Sequence, residues 1–250
     1  ISLDVPPAHL DQLRSELAGQ PVDLNVLRAE NRRKRLLIAD MDSTMINQEC
    51  IDELAEAAGI GEKVKEITAR AMNGEIDFEG ALVERMALLE GLDAKVIDDV
   101  IVTRTTDAAG GATMVATMKA HGARATLVSG GFTAFTKVVG ARLGFDETRA
   151  NTLEIVDGKL TGRVVPPILG REAKITALEE ITSKMGVSAE DAIAVGDGAN
   201  DLGMLHRAGL GVALHAKPVV AAECDVRVNF GDLTALLYLQ GYAREDFASA

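Results

Sequence analysis

Three short apolar runs, RLLIAD (35–40), ATLVSG (125–130) and AIAVGD (192–197), each break off on a polar tip. Apolar runs this short, with no alternation, suit strands covered on both faces, as in a parallel sheet. LGVAL (210–214) and VRVNF (226–230) add two more strands. Helical spacing fills the intervals at 111–121, 133–142, 171–185, 200–208, 217–222 and 232–240. Strands alternating with helices predict βαβ units, and so an α/β fold with a Rossmann-like parallel sheet. Parallel strands bring their C-terminal tips to one edge, where ligands bind.

Two stretches interrupt this rhythm. Residues 46–110 hold no strand signal. There ECIDELAEAAGI, EKVKEITARAM and FEGALVERMALLEGL read as amphipathic helices, punctuated by Gly59, Gly74 and Gly91. The expected organisation is a core of 35–45 and 111–250 with a helical cap of 46–110 inserted after the first strand. Residues 150–165 alternate around Asp157-Gly158, a hairpin signal. Residues 1–34 read as a lead-in, or the remnant of a longer N-terminal region, with Leu10, Leu13 and Leu17 at helical spacing after Pro6-Pro7.

Composition narrows the function classes. A net charge of −12 argues against a nucleic-acid partner. Cys50 and Cys224 are isolated, so neither a disulfide scaffold nor a zinc cluster is suggested, and a reducing, cytoplasmic compartment fits. No apolar run approaches the roughly 18 residues of a membrane span. A homodimer is compatible with the chain, although no stretch signals an interface.

The shared edge gathers Asp40, Asp42, Ser129 and Asp197, with Asn200 and Asp201 opening the next helix. Carboxylates about 4 Å apart repel by about 4 kcal/mol at an effective dielectric of 20. Such a cluster calls for a counter-charge, and without His or Cys nearby a hard cation such as Mg²⁺ is expected, with Asp40 and Asp197 as ligands. A cation, a Ser hydroxyl, a Gly-Gly turn and a lysine (Lys174, in GREAK) together make a phosphate cradle. A carboxylate aimed at phosphorus can act as nucleophile, and a second can move protons. Asp40 and Asp42 take those roles. Taken alone, each feature has a plainer reading: a helix cap for Asp40, a turn for Ser129-Gly130-Gly131, a solvated charge for Lys174.

DMDST (40–44), VSGG (128–131), GREAK (170–174) and GDGAND (196–201), in this order, resemble the four motifs of the haloacid dehalogenase superfamily. The resemblance covers 35–230 and implies a Rossmann-like core with a helical cap after the first motif. Within it, MINQECIDELAEAAG and ITARAMNGEIDFEGALVERMALLEGL are similar to the cap of the phosphoserine phosphatase family. That likeness implies Asp40 as nucleophile and Asp42 as general acid/base. It implies Mg²⁺ held by Asp40, the Asp42 carbonyl and Asp197, with Asp201 in support through water. Ser129, Gly130, Lys174 and Asn200 would contact phosphate. Glu49 would face a substrate ammonium and Arg85 its carboxylate, while Met72 and Phe78 would line the pocket. On residues alone, Glu49 and Arg85 read as solvated helix charges. Some bacterial relatives carry a regulatory amino-acid-binding-like domain before the core; residues 1–34 are expected to be too short for a whole one, which leaves feedback regulation open.

The implied activity is Mg²⁺-dependent hydrolysis of O-phospho-L-serine through an aspartyl-phosphate, the last step of L-serine biosynthesis. Three rivals stay open at this point. One is the same machinery acting on phosphohomoserine or phosphothreonine, or passing phosphate to another alcohol. Another is a non-enzymatic phospho-acceptor switch, against which Asp42 and the helical insert both speak. The third is a binding module for serine or its phosphate.

Overall fold

The computed structural model describes residues 7–17, 19–72 and 75–249. Pro6, Gly74 and the side chains of Leu10 and Met72 lie outside the described residues.

After a first helix, α1 (Pro7–Glu16), the chain enters the sheet at β1 (Leu36–Ala39). Four helices follow: α2 (Cys50–Ala57), α3 (Gly61–Met72), α4 (Phe78–Ala87) and α5 (Lys95–Arg104). The chain then alternates through α6 (Gly111–Ala120), β2 (Arg124–Phe132), α7 (Thr133–Leu143), β3 (Glu147–Val156), β4 (Lys159–Val165) and α8 (Arg171–Met185). It closes with β5 (Ala192–Gly196), α9 (Leu202–Arg207), β6 (Leu210–Leu214), α10 (Pro218–Glu223), β7 (Val226–Val228) and α11 (Ala235–Leu239).

The sheet has seven strands in the order β4-β3-β2-β1-β5-β6-β7. Every pair is parallel except β3 with β4. The fully buried β1 shows why an uninterrupted apolar run was needed. Leu37 and Ala39 enter one hydrophobic cluster, with Met114 of α6 and Phe135 of α7. Leu36 and Ile38 enter the other, with Leu178 of α8 and Leu205 of α9. Each such buried Leu or Ile contributes about 1.5–3 kcal/mol. From β1 the chain crosses first to β2 on one side and later to β5 on the other. A crevice opens at the strand tips at this point of reversal.

Three sequence expectations are amended. The 150–165 hairpin is no separate excursion: β3 starts earlier, and its first residues pair in parallel with β2 (Thr126 with Glu147) before its far half turns back on β4. Ser129-Gly130-Gly131 is no turn, since β2 runs through it with a register shift between Val128 and Phe132. The helical stretch also holds a fourth helix, α5, which its Val- and Ile-rich sequence (KVIDDVIVTR) concealed.

The stretch from α2 to α5 leaves and returns at one place. Ile46 bridges Asp107, the Asn47 N–H donates to the Thr106 carbonyl at 3.0 Å, and the Ala108 N–H donates to Met45 at 3.0 Å. At the far edge of the sheet, residues before β1 cover β7. The Asn25 amide exchanges hydrogen bonds with the Arg227 backbone at 2.7 and 2.9 Å, satisfying an edge strand that would otherwise be open. Among the described residues no helix is long and apolar enough to cross a membrane.

Candidate active site

The tips of β1, β2 and β5 form the floor of a cleft of about 420 Å³, and α2, α3 and α4 form a wall. Asp40 follows directly on β1 and is held in the sheet by its backbone N–H, which donates to Val195 at 3.0 Å. Its Oδ1 accepts from the Met41 N–H at 2.8 Å and pairs with Lys174 Nζ at 2.7 Å. Among the described residues nothing bonds Oδ2, so that oxygen is left for the cleft.

Lys174, on the first turns of α8, is 1% exposed. It pairs with Asp40 and also with Asp201 Oδ1, at 2.6 Å. The other Asp201 oxygen accepts the Gly198 N–H at 3.0 Å. Asp197, at the tip of β5, accepts from the Thr44 hydroxyl at 3.3 Å. One ligand oxygen from each of Asp40, Asp197 and Asp201 lies within 4.8 Å of the others, and all three residues are buried. Hard oxygen donors this close fit a divalent cation. Asp201 is the most committed of the three, with both oxygens already engaged.

The electrostatics follow from three clustered acids, of which Asp40 and Asp201 share the buried Lys174. Burial, reinforced by the Asp201 charge, raises the Asp40 carboxyl well above the usual carboxylate range against the pull of Lys174. Burial alone would lower Lys174, but the charges of Asp201 and Asp40 outweigh it and hold the ammonium above its usual range. Asp42 is raised to about 7, first by burial and then by the Glu49 charge. Asp197 is raised to about 6 by burial, then by Asp201 and Glu49.

Both Asp42 and Asp197 thus lie above the ordinary carboxylate pKa of about 3.9. Between about pH 4 and pH 7 the folded state therefore holds more protons than the unfolded chain, and stability falls as pH rises through that window. Metal-free protein is expected to melt at a higher temperature at pH 5 than at pH 8. A divalent cation should restore most of the loss at pH 8, because it replaces the protons. Thermal unfolding in chelator at both pH values, then with cation added, checks this. A melting temperature that climbs from pH 5 to pH 8 in chelator would contradict it.

The remaining residues singled out in the sequence gather around this floor. Ser129, Gly130, Asn200, Glu49, Arg85 and Phe78 all line the cleft with Asp40, Asp42 and Asp197. The Ser129 hydroxyl accepts the Gly131 N–H at 2.9 Å, which fixes its direction. A Cβ on Gly131 would come 3.0 Å from an Asp42 oxygen, and one on Gly130 would come 3.1 Å from the Phe78 ring. The two glycines thus let β2 pass between Asp42 and Phe78. Glu49 precedes α2 and accepts the Ser43 hydroxyl at 2.6 Å, with Ser43 in the left-handed region (φ 53°). Arg85, on the last turn of α4, donates Nε–H to its own helix at Ala81, 3.1 Å away. Burial lowers its pKa, while the charges of Asp52 and Glu49 oppose that. Met72 ends α3, and its side chain lies outside the described residues.

Several contributors were not read from the sequence. Asn151 of β3, 1% exposed, donates to the Gly130 carbonyl at 2.8 Å and accepts the Leu169 N–H at 2.7 Å. It ties the β2 tip to the loop that leads into α8 and Lys174. Lys217 also lines the cleft, and its backbone N–H donates to the Asp197 carbonyl at 3.2 Å. Its position just past the tip of β6 was the available signal. Asp52 sits one helical turn beyond Glu49 on the same wall.

A nucleophile-ready carboxylate at a strand tip, a buried lysine, a metal-suited acid cluster and a helical wall define a class. Residues 37–206 match the model of the haloacid dehalogenase-like hydrolases, and the chain belongs to that family. Within the family its similarity is to phosphoserine phosphatases. It is 46% identical to one from Streptomyces coelicolor over 95% of this chain and 58% of that protein. To one from Archaeoglobus fulgidus it is 42% identical, over 89% of this chain and 64% of that protein. The chain thus spans about three fifths of the length of these relatives. A solved structure described as a phospho-aspartyl intermediate analogue of phosphoserine phosphatase superposes with a TM-score of 0.77 at 40% identity. That match covers 82% of this chain and 98% of the other.

Proposed function

We propose that this chain hydrolyses O-phospho-L-serine to L-serine and phosphate, which would complete L-serine biosynthesis. One observation carries the reading: a cleft that holds Asp40 and Asp42 at the β1 tip also holds Glu49 and Arg85 on its helical wall. The first pair suits phosphoryl chemistry. The second offers one anion and one cation, as the two charges of an amino-acid head group require, with Arg suited to a two-pronged grip on carboxylate.

In this reading Asp40 Oδ2 attacks phosphorus in line with the ester oxygen. The phosphorus–oxygen bond to serine breaks as Asp42, protonated near neutral pH, gives its proton to the leaving oxygen. Asp42, now a carboxylate, takes a proton from water as that water attacks the aspartyl-phosphate, and phosphate leaves with Asp40 regenerated. Ser129, the Gly130 N–H, Lys174 and Asn200 hold the phosphate oxygens. Mg²⁺, the metal that buried carboxylates of this number suit, would be held by Asp40, the Asp42 carbonyl and Asp197, with Asp201 in support, and would supply charge neutralisation at the phosphate. Helices α2–α5 act as a cap, with Phe78 against Gly130 closing the site from water. A cytoplasmic place suits the two free, buried thiols, Cys50 and Cys224.

The test is a substrate panel of phosphoserine, phosphothreonine, phosphohomoserine and a sugar phosphate, with wild type and Arg85→Ala. Phosphoserine should be preferred, and Arg85→Ala should raise its KM by about 10- to 100-fold, the loss expected for a charged hydrogen bond. The same change should leave the sugar phosphate within about twofold. An equal loss on every ester would remove Arg85 from head-group recognition.

A further inference from the structure

Buried polar side-chain atoms nearly always find a hydrogen-bond partner. Among the described residues three buried ones do not: Asp42 Oδ1, Thr68 Oγ1 and Thr126 Oγ1. Thr126 lies inside β2 and is no part of the cleft. Asp42 and Thr68 both line the cleft. The open oxygen of Asp42 is explained by the proton it moves. That of Thr68 has no counterpart in the reaction above.

Thr68 also lacks the backbone bond that some threonines of this chain make. A threonine inside a helix commonly donates to the carbonyl one turn back. Thr103 does so to Asp99 at 2.6 Å, Thr105 to Ile101 at 2.6 Å and Thr182 to Leu178 at 2.8 Å. The Thr68 hydroxyl forgoes that bond to Val64 and is still shut off from solvent. A polar group left so at the rim of a cleft is one kept for a ligand.

The neighbouring wall says which part of the ligand. Ile51, Phe78 and Leu82 make it largely apolar, with Asp52 and Arg85 as its charged members. Acceptors for an ammonium are in excess in this cleft, from Asp40, Asp42, Glu49, Asp52 and Asp197. On this wall the side chains that can donate to a carboxylate are Arg85 and Thr68. Resting on the phosphoserine reading, we propose that Thr68 is a specificity-determining residue whose hydroxyl donates to the substrate carboxylate beside Arg85.

Thr68→Val keeps the shape and removes the hydroxyl, while Thr68→Ser keeps the hydroxyl. Each is assayed on O-phospho-L-serine, with O-phosphoethanolamine and inorganic phosphate as competing inhibitors. O-phosphoethanolamine keeps the phosphate and the ammonium but lacks the carboxylate. Thr68→Val should raise the KM for phosphoserine about tenfold with kcat within about twofold, as loss of a hydrogen bond to a charged group implies. Both inhibition constants should hold, Thr68→Ser should restore the KM, and the Thr68→Val melting temperature should equal or exceed that of wild type. An unchanged KM overturns the assignment. So does weakening of all three ligands together, or a lowered melting temperature with both kinetic constants impaired, each of which marks a packing role. A wild-type chain that turns over other esters but ignores phosphoserine overturns the substrate reading, and this assignment with it.

Discussion

Asp40→Asn brings phosphate release from O-phospho-L-serine down by on the order of 10⁴-fold or more, the scale seen when a covalent nucleophile is lost. An amide oxygen is a poor nucleophile, and it is Asp40 Oδ2 that is free to face the cleft. The folded protein should not suffer. Asp40 is one of three clustered buried acids, of which it and Asp201 share Lys174, and a neutral amide relieves their mutual repulsion. A melting temperature equal to or above wild type, together with lost turnover, separates loss of chemistry from loss of fold. Turnover within tenfold of wild type would remove Asp40 from the reaction.

Lys174→Met has the opposite character, with the larger effect on stability. The ammonium is 1% exposed and lies 2.7 Å from Asp40 and 2.6 Å from Asp201. Methionine fills a similar volume but leaves both carboxylates buried with no counter-charge. Breaking a buried ion pair from one side costs about 3–5 kcal/mol. In a protein of this size that lowers the melting temperature by roughly 6–20 °C. The remedy available to the variant is protonation of its acids, so the deficit should shrink as pH falls from 8 towards 5. Thermal unfolding in chelator across that range measures both. A variant as stable as wild type at pH 8 would show that the acids are neutralised by other means. Activity should also fall steeply, since Lys174 both orients Asp40 and meets the phosphate.

How much of this was legible in the sequence divides along a physical line. The five strands read from apolar runs all appear in the sheet, because a strand buried on both faces carries its whole signal in its own residues. LLIA needs no neighbour to look like a central strand. The acids at the tips were legible for the same reason, since β1 and β5 stop where Asp40 and Asp197 begin. Features that depend on a partner were harder. The start of β3 (ETRA) is polar and becomes a strand by pairing with β2. Helix α5 is built from Val and Ile, which favour strands, and is held by burial of Ile97, Val100 and Ile101.

The site divides in the same way. Asp40, Asp42, Ser129 and Asp197 could be placed on one edge by topology alone. Glu49 and Arg85 could not, because a single charge on an amphipathic helix looks like any solvated one. Family resemblance brought them forward, and the folded wall places both in the cleft. Asn151 and Thr68 had no such signal, and Lys217 had only its place just past the tip of β6. What sets each apart is a tertiary relation: a buried staple, a backbone bond to Asp197, a hydroxyl with no partner.

The central claim is that phosphate passes through Asp40 on its way from serine to water. Wild type mixed with phosphate-labelled O-phospho-L-serine and Mg²⁺, then quenched in acid within a single turnover, tests it most directly. Label should be found on the peptide that contains Asp40, disappear when the quench is delayed past one turnover, and be absent from Asp40→Asn. Label that never joins the protein while phosphate is released, or that joins a peptide without Asp40, would contradict it.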